Sequence, residues 1–594
     1  MDIRRYDVKR TRRSLSLNLD YNIDDNNQLF LKTIYNHRDD WENRFRLRVG
    51  SIDMEDMTAR IRKQAKGGIS DSNNKGTRLE DQRTQKYSIG GDHLLGDLKL
   101  DWKVSYSEAS EDRPDERYVR YEQRDVPFSS LNISNPERPY FAWTGDAWNN
   151  PSDYRYRKTE QAFKTTDETN TSFSINLEKP YSDNDVWKIG FKFKDKTKMR
   201  DDIWYEYDND LSNMDGVSYF DASIPDYLAG DIYQSGYFVT ANTLGLLSLS
   251  GPEDPNFDSY VMDEFAGGNY DAEEQIAAFY AMIVDKLGDD VTLIAGARFE
   301  STSINYTGQV FDEEEDELPS DIGSVSGGND YYNILPNLTL QWDVNDELNF
   351  NFAFTQSIAR PSYYDLVPYE YSNSDDQELA LGNPDLKASL STNFDIMGEW
   401  YFGGLSLLSF GYFSKDIKDW IYQYTTNNYT YAGVNGYELS QLRNGEKASV
   451  SGFELGFQTK FLKNFTFMGN YTSTDSSTNN VEGRDDVPLT GQVDDMYNLS
   501  LAFENSKFFV RASMNYASEA LDELSGDAYE DRYYDEQTFV DVNANYKVND
   551  KLSIFAEGKN LTNQPLRYYQ GIQQRTMQIE YYNLSWTLGL KYDF

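Results

Sequence analysis

The last thirteen residues of the chain alternate without a break. Tyr582, Leu584, Trp586, Leu588, Leu590, Tyr592 and Phe594 fall on one face, and Asn583, Ser585, Thr587, Gly589, Lys591 and Asp593 on the other. This is the period of a β-strand with one apolar and one polar side. Aromatic residues stand at both ends of the apolar side with leucines between them, over a length that crosses a bilayer as a tilted strand. The expectation is an all-β protein, a transmembrane antiparallel β-barrel, with these seven side chains turned to lipid.

Composition agrees with that solvent. Mean hydropathy is -0.73, and no run of eighteen apolar residues occurs, so no transmembrane helix is expected. Yet 46 Tyr, 33 Phe and 10 Trp make the chain 15% aromatic. A barrel reconciles the two, because its polar interior and wet loops dilute an outward apolar band edged with aromatics. There is no Cys, hence no disulfide or thiolate chemistry. A formal charge of -42 argues against nucleic acid, whose phosphates require Lys and Arg. The acidic run Asp312 to Glu317 reads as a solvated loop, with a calcium site as the alternative.

The N-terminus carries Arg4, Arg5, Lys9, Arg10, Arg12 and Arg13, as a signal peptide would, but no apolar region follows. Ser14 to Tyr21 already alternates like a membrane strand. An outer-membrane protein needs an export signal, so sequence is expected in front of Met1.

Tight turns are read near Asp24-Asn27, Leu95-Asp97, Tyr181-Asp185, Leu287-Asp290, Val344-Asp346, Gly403-Gly404, Lys463-Asn464, Asn505-Ser506 and Asn549-Asp550. Most carry Asn, Asp or Gly, which tolerate turn geometry. Between them lie long connections, the largest spanning Arg38 to Arg83, Glu108 to Glu160 and Met199 to Asp271. Short periplasmic turns and long extracellular loops are the expected pattern. Nine turns give eighteen strands, and the C-terminal strand makes about nineteen. An odd count leaves the first and last strands running the same way, where bacterial barrels are usually even. No internal repeat or linker divides the chain, so residues 1–594 read as one domain.

Several segments then resemble a known family. They are Asn333-Ile334-Leu335-Pro336-Asn337-Leu338, Ser357-Ile358-Ala359-Arg360-Pro361-Ser362-Tyr363-Tyr364-Asp365-Leu366, Gly382-Asn383-Pro384-Asp385-Leu386-Lys387 and the strand ending Glu399-Trp400-Tyr401-Phe402, Asn444-Gly445-Glu446 with Gly452-Phe453-Glu454, and Lys559-Asn560-Leu561-Thr562-Asn563. In this order they resemble the barrel of TonB-dependent receptors of Gram-negative bacteria, over about the last 300 residues. The resemblance implies twenty-two strands plugged by an N-terminal domain that carries the TonB contact. Neither plug nor TonB segment is found here, so the chain is expected to be an N-terminally truncated barrel with about three strands missing. It also implies capture and TonB-driven import of a scarce nutrient: a ferric siderophore, haem, cobalamin or an oligosaccharide. A passive porin or a surface-binding adhesin barrel is the alternative. The expected partners are outer-membrane lipid and lipopolysaccharide, TonB through the plug, the barrel-assembly machinery through the C-terminal strand, and a small-molecule ligand. The location implied is the outer membrane.

Candidate ligand contacts are Tyr140, Phe141, Trp143 and Trp148, concentrated in one expected extracellular loop. Such rings stack on sugars or chelates, or pack the loop against its neighbours. Trp204, Tyr205 and Tyr207 form a second, smaller cluster, also expected in a loop. Arg360 suits a bidentate contact to an anion or a structural ion pair. Asn560 and Asn563 are read as closing a turn. His37 and His93 are the only histidines, and neither stands in a catalytic motif. No enzyme, cofactor or metal is expected.

Overall fold

The computed structural model describes residues 2–135, 138–209, 211–224, 233–311, 318–373, 377–404, 406–479 and 481–593. Both Phe594 and the acidic run 312–317 lie outside the described residues.

The main sheet has 22 strands, all antiparallel to their neighbours. Nineteen of them follow one another in chain order as a single up-and-down meander. They are β1 (Asp2–Asp24), β2 (Asn27–Asp53), β3 (Arg78–Leu95), β4 (Leu98–Asn132), β5 (Arg155–Pro180) and β6 (Val186–Tyr207). Next come β7 (Tyr270–Lys286), β8 (Val291–Val310), β9 (Gly323–Asn345), β10 (Leu348–Ala359), β11 (Ser389–Phe402), β12 (Ser406–Lys418) and β13 (Lys447–Phe461). The series ends with β14 (Phe465–Asn479), β15 (Asp495–Glu504), β16 (Phe508–Ala517), β17 (Gln537–Lys547), β18 (Leu552–Lys559) and β19 (Ser585–Tyr592). The other three, Thr58–Gly67, Tyr140–Trp143 and Phe257–Tyr260, extend the sheet at its long-connection end. Among the described residues β1 pairs along its length with β2, and β19 with β18; the two end strands share no register.

All nine tight turns and the count of nineteen are as the sequence analysis expects. The turns close on their own side chains. Asn505 Oδ1 accepts from the amides of Lys507 and Phe508 at 2.9 and 2.8 Å, and Asn549 does the same for Lys551 and Leu552. At Gly403 and Gly404 the backbone takes φ of 56° and 87°, open to glycine and strained for other residues.

The outer face carries the apolar band. Leu15, Leu17, Leu19 and Tyr21 of β1 stand exposed, as do Phe410 and Tyr412 of β12 and Leu499 and Leu501 of β15. On β19, Trp586, Leu588, Leu590 and Tyr592 are exposed, Leu588 at 80%. The strand itself starts at Ser585; Tyr582 and Leu584 precede it, on either side of Asn583, which turns the chain at φ 58°.

Two expected loops are corrected and the third is shortened. The segments 38–83 and 108–160 are largely strand, with β2 running on to Asp53 and β4 to Asn132, whereas in 199–271 β6 runs on to Tyr207 and the described residues beyond it carry only short elements before β7. Above the band the alternation is of charge with charge, so it lacks an apolar period. Cross-strand ion pairs take over there, such as Arg13–Asp39 at 2.6 Å, Arg38–Glu80 at 3.1 Å, Arg120–Glu160 at 2.9 Å and Lys158–Glu206 at 2.6 Å. The basic N-terminal run is part of this: Arg10 pairs with Asp40 across β1 and β2. Four further connections contribute a second, eight-stranded sheet, running from Glu370–Asn373 to Ile572–Glu580. It includes two parallel pairings, one between Glu378–Leu381 and Glu438–Gln441.

The two faces of one strand give a test. In β15 Leu499 is exposed on the band, while the amide of its neighbour Asn498 donates to Asn470 Oδ1 at 2.9 Å on the other face. In bilayer-supported denaturant unfolding, Leu499→Lys is expected to cost ~2–4 kcal/mol and Asn498→Lys under about 1 kcal/mol. Equal costs would contradict the assigned faces.

Candidate functional site

On β6 the sequence Trp187-Lys188-Ile189-Gly190-Phe191-Lys192-Phe193-Lys194 sends aromatic and aliphatic residues to the band and lysines to the opposite face. The lysines continue as Lys196 and Lys198, followed by Arg200, so the ladder climbs from the level of the band toward the long connections. Neighbouring strands complete a basket. Lys103 on β4 is in register with Ser174 on β5, which is in register with Lys192. That sets the two lysines two strand spacings apart, ~10 Å. One row up lie Ser105, Ser172 and Lys194, and the next row holds Ser107, Asn170 and Lys196. Lys86 of β3 is in register with Ser107.

Lys86, Lys103, Lys192 and Lys194, with Ser105, Ser107, Asn170, Ser172 and Ser174 between them, line a cavity of about 390 Å³ together with Asn176, Tyr280 and Arg298. Its floor is made of hydroxyls and amides, and its walls of cations. Gly190 makes room for it: a Cβ there would stand 2.3 Å from the Tyr280 ring, whose hydroxyl donates to Asn176 Oδ1 at 3.1 Å. Among the described residues Lys86, Lys103, Lys192 and Lys194 have no ion pair. Ladder members outside the basket do have carboxylates near them. Lys188 pairs with Glu178 at 2.8 Å, and Lys196 and Lys198 stand 3.8 and 3.7 Å from Glu274 and Glu168. A second cavity of about 610 Å³, on β12–β17, is lined instead by Asn470, Asn498, Asn515, Asn543 and Ser500, with Arg511 as its cation.

Arg360 belongs to the upper edge of the basic wall. Its Nη2 donates to Glu300 Oε2 at 2.7 Å and to Thr302 Oγ1 at 2.9 Å. Beside it the Tyr363 hydroxyl donates to Glu274 at 3.2 Å, under Lys196, whose Nζ stands 4.9 Å from the Tyr363 ring. The ladder itself was not picked out from the sequence. The signal was present as lysine at every second position from 192 to 198 in a chain where acids far outnumber bases.

The aromatic candidates cluster elsewhere. Phe141 and Trp143 stack at 5.3 Å, and Trp143 and Trp148 at 6.2 Å. Phe141 is buried in a core with Phe45, Leu47, Tyr154 and Phe238, while Trp143 and Trp148 pack half-buried at its edge and Tyr140 receives an Asn132 hydrogen bond. Trp204, Tyr205 and Tyr207 end β6 rather than sit in a loop; Trp204 stacks on Tyr118 at 5.5 Å. Asn560 closes its turn as expected, accepting from the Gln564 amide at 2.9 Å. His93 lies between Asn27 and Trp102. His37 stands 2.9 and 3.0 Å from Asp39 and Asp81, a donor set of metal-ligand type. Each of those carboxylates also holds an arginine, Arg13 and Arg83.

Charge is also buried at the long-connection end. Burial alone would raise the Glu116 carboxyl, but Lys66, Arg78 and the Tyr118 hydroxyl hold it down to about 2. Lys63 has no such partner. Its Nζ donates to Tyr237 O at 2.9 Å and Asn149 Oδ1 at 3.2 Å, against the rings of Tyr154 and Phe238. Burial pulls its pKa down to about 7, with Asp221 pulling the other way.

A lysine lowered in the closed loop takes up a proton on opening, between that value and the ordinary one. Closure is therefore strongest above the ordinary lysine pKa and is lost as pH falls to about 7. Hydrogen exchange at Phe238 and Val239, corrected for intrinsic rates, is expected to lose protection from about pH 10 to about pH 7. Lys63→Met should flatten that dependence; an unchanged slope would contradict it.

The chain matches the family described as TonB dependent receptor-like, beta-barrel, over residues 113–561. No curated protein matches it in sequence. In structure it is similar to the ferric-catecholate import receptor Fiu of E. coli K12, with a TM-score of 0.59 at 13% identity. That likeness covers 100% of this chain and 81% of Fiu. It is also similar to P. aeruginosa FpvA, solved bound to heterologous pyoverdines (TM-score 0.53, 12% identity, 100% of this chain and 71% of that one). The siderophore receptor PiuA of Acinetobacter baumannii gives a TM-score of 0.52 at 10% identity, over 99% of this chain and 80% of that one. At these identities the likeness establishes the fold.

Proposed function

This chain belongs to the TonB-dependent receptor β-barrel family, and from that premise we propose that it captures a scarce nutrient at the outer membrane of a Gram-negative bacterium and imports it. The energy is relayed by TonB through the plug domain that the family carries. Ferric siderophores, haem, cobalamin and oligosaccharides are the candidate cargoes. The similar structures include a ferric-catecholate import receptor and a siderophore receptor, which favours an iron chelate.

The observation that carries this reading is the wall itself. A barrel with an apolar outer band and a cavity of cations, hydroxyls and amides on its inner face offers a polar solute a binding surface where lipid is excluded. Among the described residues its titratable lining is four lysines, one tyrosine and one arginine, groups that suit the binding and passage of a polar solute. Arg360 steadies the upper edge of this wall through Glu300. Trp143 and Trp148, half-buried at the edge of their core, are the aromatic residues assigned to contact an arriving ligand in this reading. Outward Trp586, Leu588, Leu590 and Tyr592 meet outer-membrane lipid and lipopolysaccharide, and the strand that bears them is the one recognised by the barrel-assembly machinery.

Energy dependence separates this reading from a passive pore. Cells that bear the receptor are expected to accumulate labelled cargo only with TonB present and the inner-membrane proton gradient intact. Surface binding should survive loss of either. Accumulation that persists without TonB would assign the barrel to passive diffusion instead.

A further inference from the structure

We propose that His37, Asp39 and Asp81 hold a divalent transition-metal cation of the zinc class on the outer face of the barrel, where β2 and β3 leave the lipid band. The site is on the side of the sheet away from the lumen, so it stands whichever cargo the receptor carries and whatever fills the barrel.

Strand period and register bring the donors together. His37 and Asp39 are two apart on β2 and so share a face. Asp81 of β3 is in register with Asp39. That face is the outward one, since Leu31 and Tyr35 stand exposed on the same side of β2. Tyr87 and Tyr106, exposed on β3 and β4 one row under Tyr35, mark the upper edge of the band.

The donor atoms have the spacing of ligands. The imidazole Nε2 is 2.9 Å from Asp39 Oδ1 and 3.0 Å from Asp81 Oδ1, and one donor atom from each residue lies within 4.8 Å of the other two. Ligand atoms held ~2.1 Å from one zinc ion are about 3–3.4 Å apart. Nε2 is shut off from solvent and aligned in no hydrogen bond, although the two carboxylate oxygens are within reach. A cation set between the three atoms gives that nitrogen a partner. The carboxylates are steadied from outside. Arg13 donates to Asp39 Oδ2 at 2.6 Å, and Arg83 to Asp81 Oδ2 at 2.7 Å and Oδ1 at 3.0 Å. Hydrogen bonds that orient the ligands in this way are a regular part of metal sites.

Charge asks for a dication. Asp39, Asp81 and Asp112 stand side by side in one row of β2, β3 and β4, and Asp167 of β5 stands in the row of His37, beside Ser110. Asp112 and Asp167 make no ion pair among the described residues. Four carboxylates thus face two arginines, which leaves two negative charges. Like charges on adjacent strands repel, and a dication offsets both. The imidazole selects its class, because calcium and magnesium take oxygen ligands whereas nitrogen suits zinc and its neighbours. Bound there, the ion pins β2 to β3 at the edge of the membrane.

The test uses the full chain, purified in detergent, stripped of metal with EDTA and isotope-labelled only at histidine. The chain has two histidines and no cysteine, so an imidazole response is assignable. Zn2+ alone is titrated in. One ion is expected to bind per chain with a Kd of about 1 µM, shifting the His37 resonance and leaving that of His93 in place. His37→Asn and Asp81→Asn should each weaken binding at least about tenfold, the loss that an orienting partner alone would cause. His93→Asn should stay within about twofold, and a large excess of Ca2+ should not displace the zinc. Heat-modifiable migration on gels checks that each variant has formed its barrel.

No binding up to about 100 µM Zn2+, a shift at His93 rather than His37, or an affinity unmoved by either site variant would each overturn the proposal. Displacement by Ca2+ would assign the patch to a loose cloud of counterions, and overturn it as well. The titration and the histidine shift need no variant, so one that fails to fold leaves the proposal exposed to both.

Discussion

The structure depends on pairing backbone amides and carbonyls from strand to strand along a sheet whose outer face meets lipid. In hydrocarbon an unpaired backbone group costs several kcal/mol by order of magnitude, so the strands must follow one another in one continuous ladder. Nineteen strands do so in chain order, joined at one end by turns of a few residues. Once the ladder is continuous, the period of two divides each strand between two solvents. Phe191 and Phe193 can face the band only because Lys192 and Lys194 face away from it. The basic wall and the apolar band are therefore two sides of one constraint.

Much of this was legible in the sequence, for local reasons. The turns were readable because Asn505 and Asn549 close their own hairpins, and Gly403 and Gly404 take conformations open to glycine. The band was readable because Leu584 to Tyr592 alternates. Strand limits were less legible. β2 and β4 extend far past the band, where Arg13–Asp39 and Arg120–Glu160 replace apolar contacts, and a ladder of charges looks like a loop to any reading of hydropathy. The eight-stranded sheet was invisible for another reason. Its pairings join segments remote in sequence, such as Glu378–Leu381 with Glu438–Gln441, and nothing local specifies them.

The candidate site divides the same way. Aromatic residues were chosen by type, and the structure places Phe141 in a core and Trp143 and Trp148 at its margin. Arg360 was chosen by its neighbours in sequence and proves to be ion-paired with Glu300, beside the lysine ladder. The ladder itself depends on register: Lys103 and Lys192 meet across Ser174 although they are far apart in sequence. Its alternation was visible, but its gathering with Lys86 and Lys103 required the fold.

The most direct measurement is the reactivity of single cysteines, since the chain has none of its own. Ser172→Cys, Phe173→Cys and Ser174→Cys would be treated in membranes with anionic and with cationic thiol reagents, both confined to water. Sites 172 and 174 are expected to react, the anionic reagent faster than the cationic, and site 173 to stay protected by lipid. Reaction at 173 with protection at 172 and 174 would invert the faces, and a faster cationic reagent would contradict a positively charged wall.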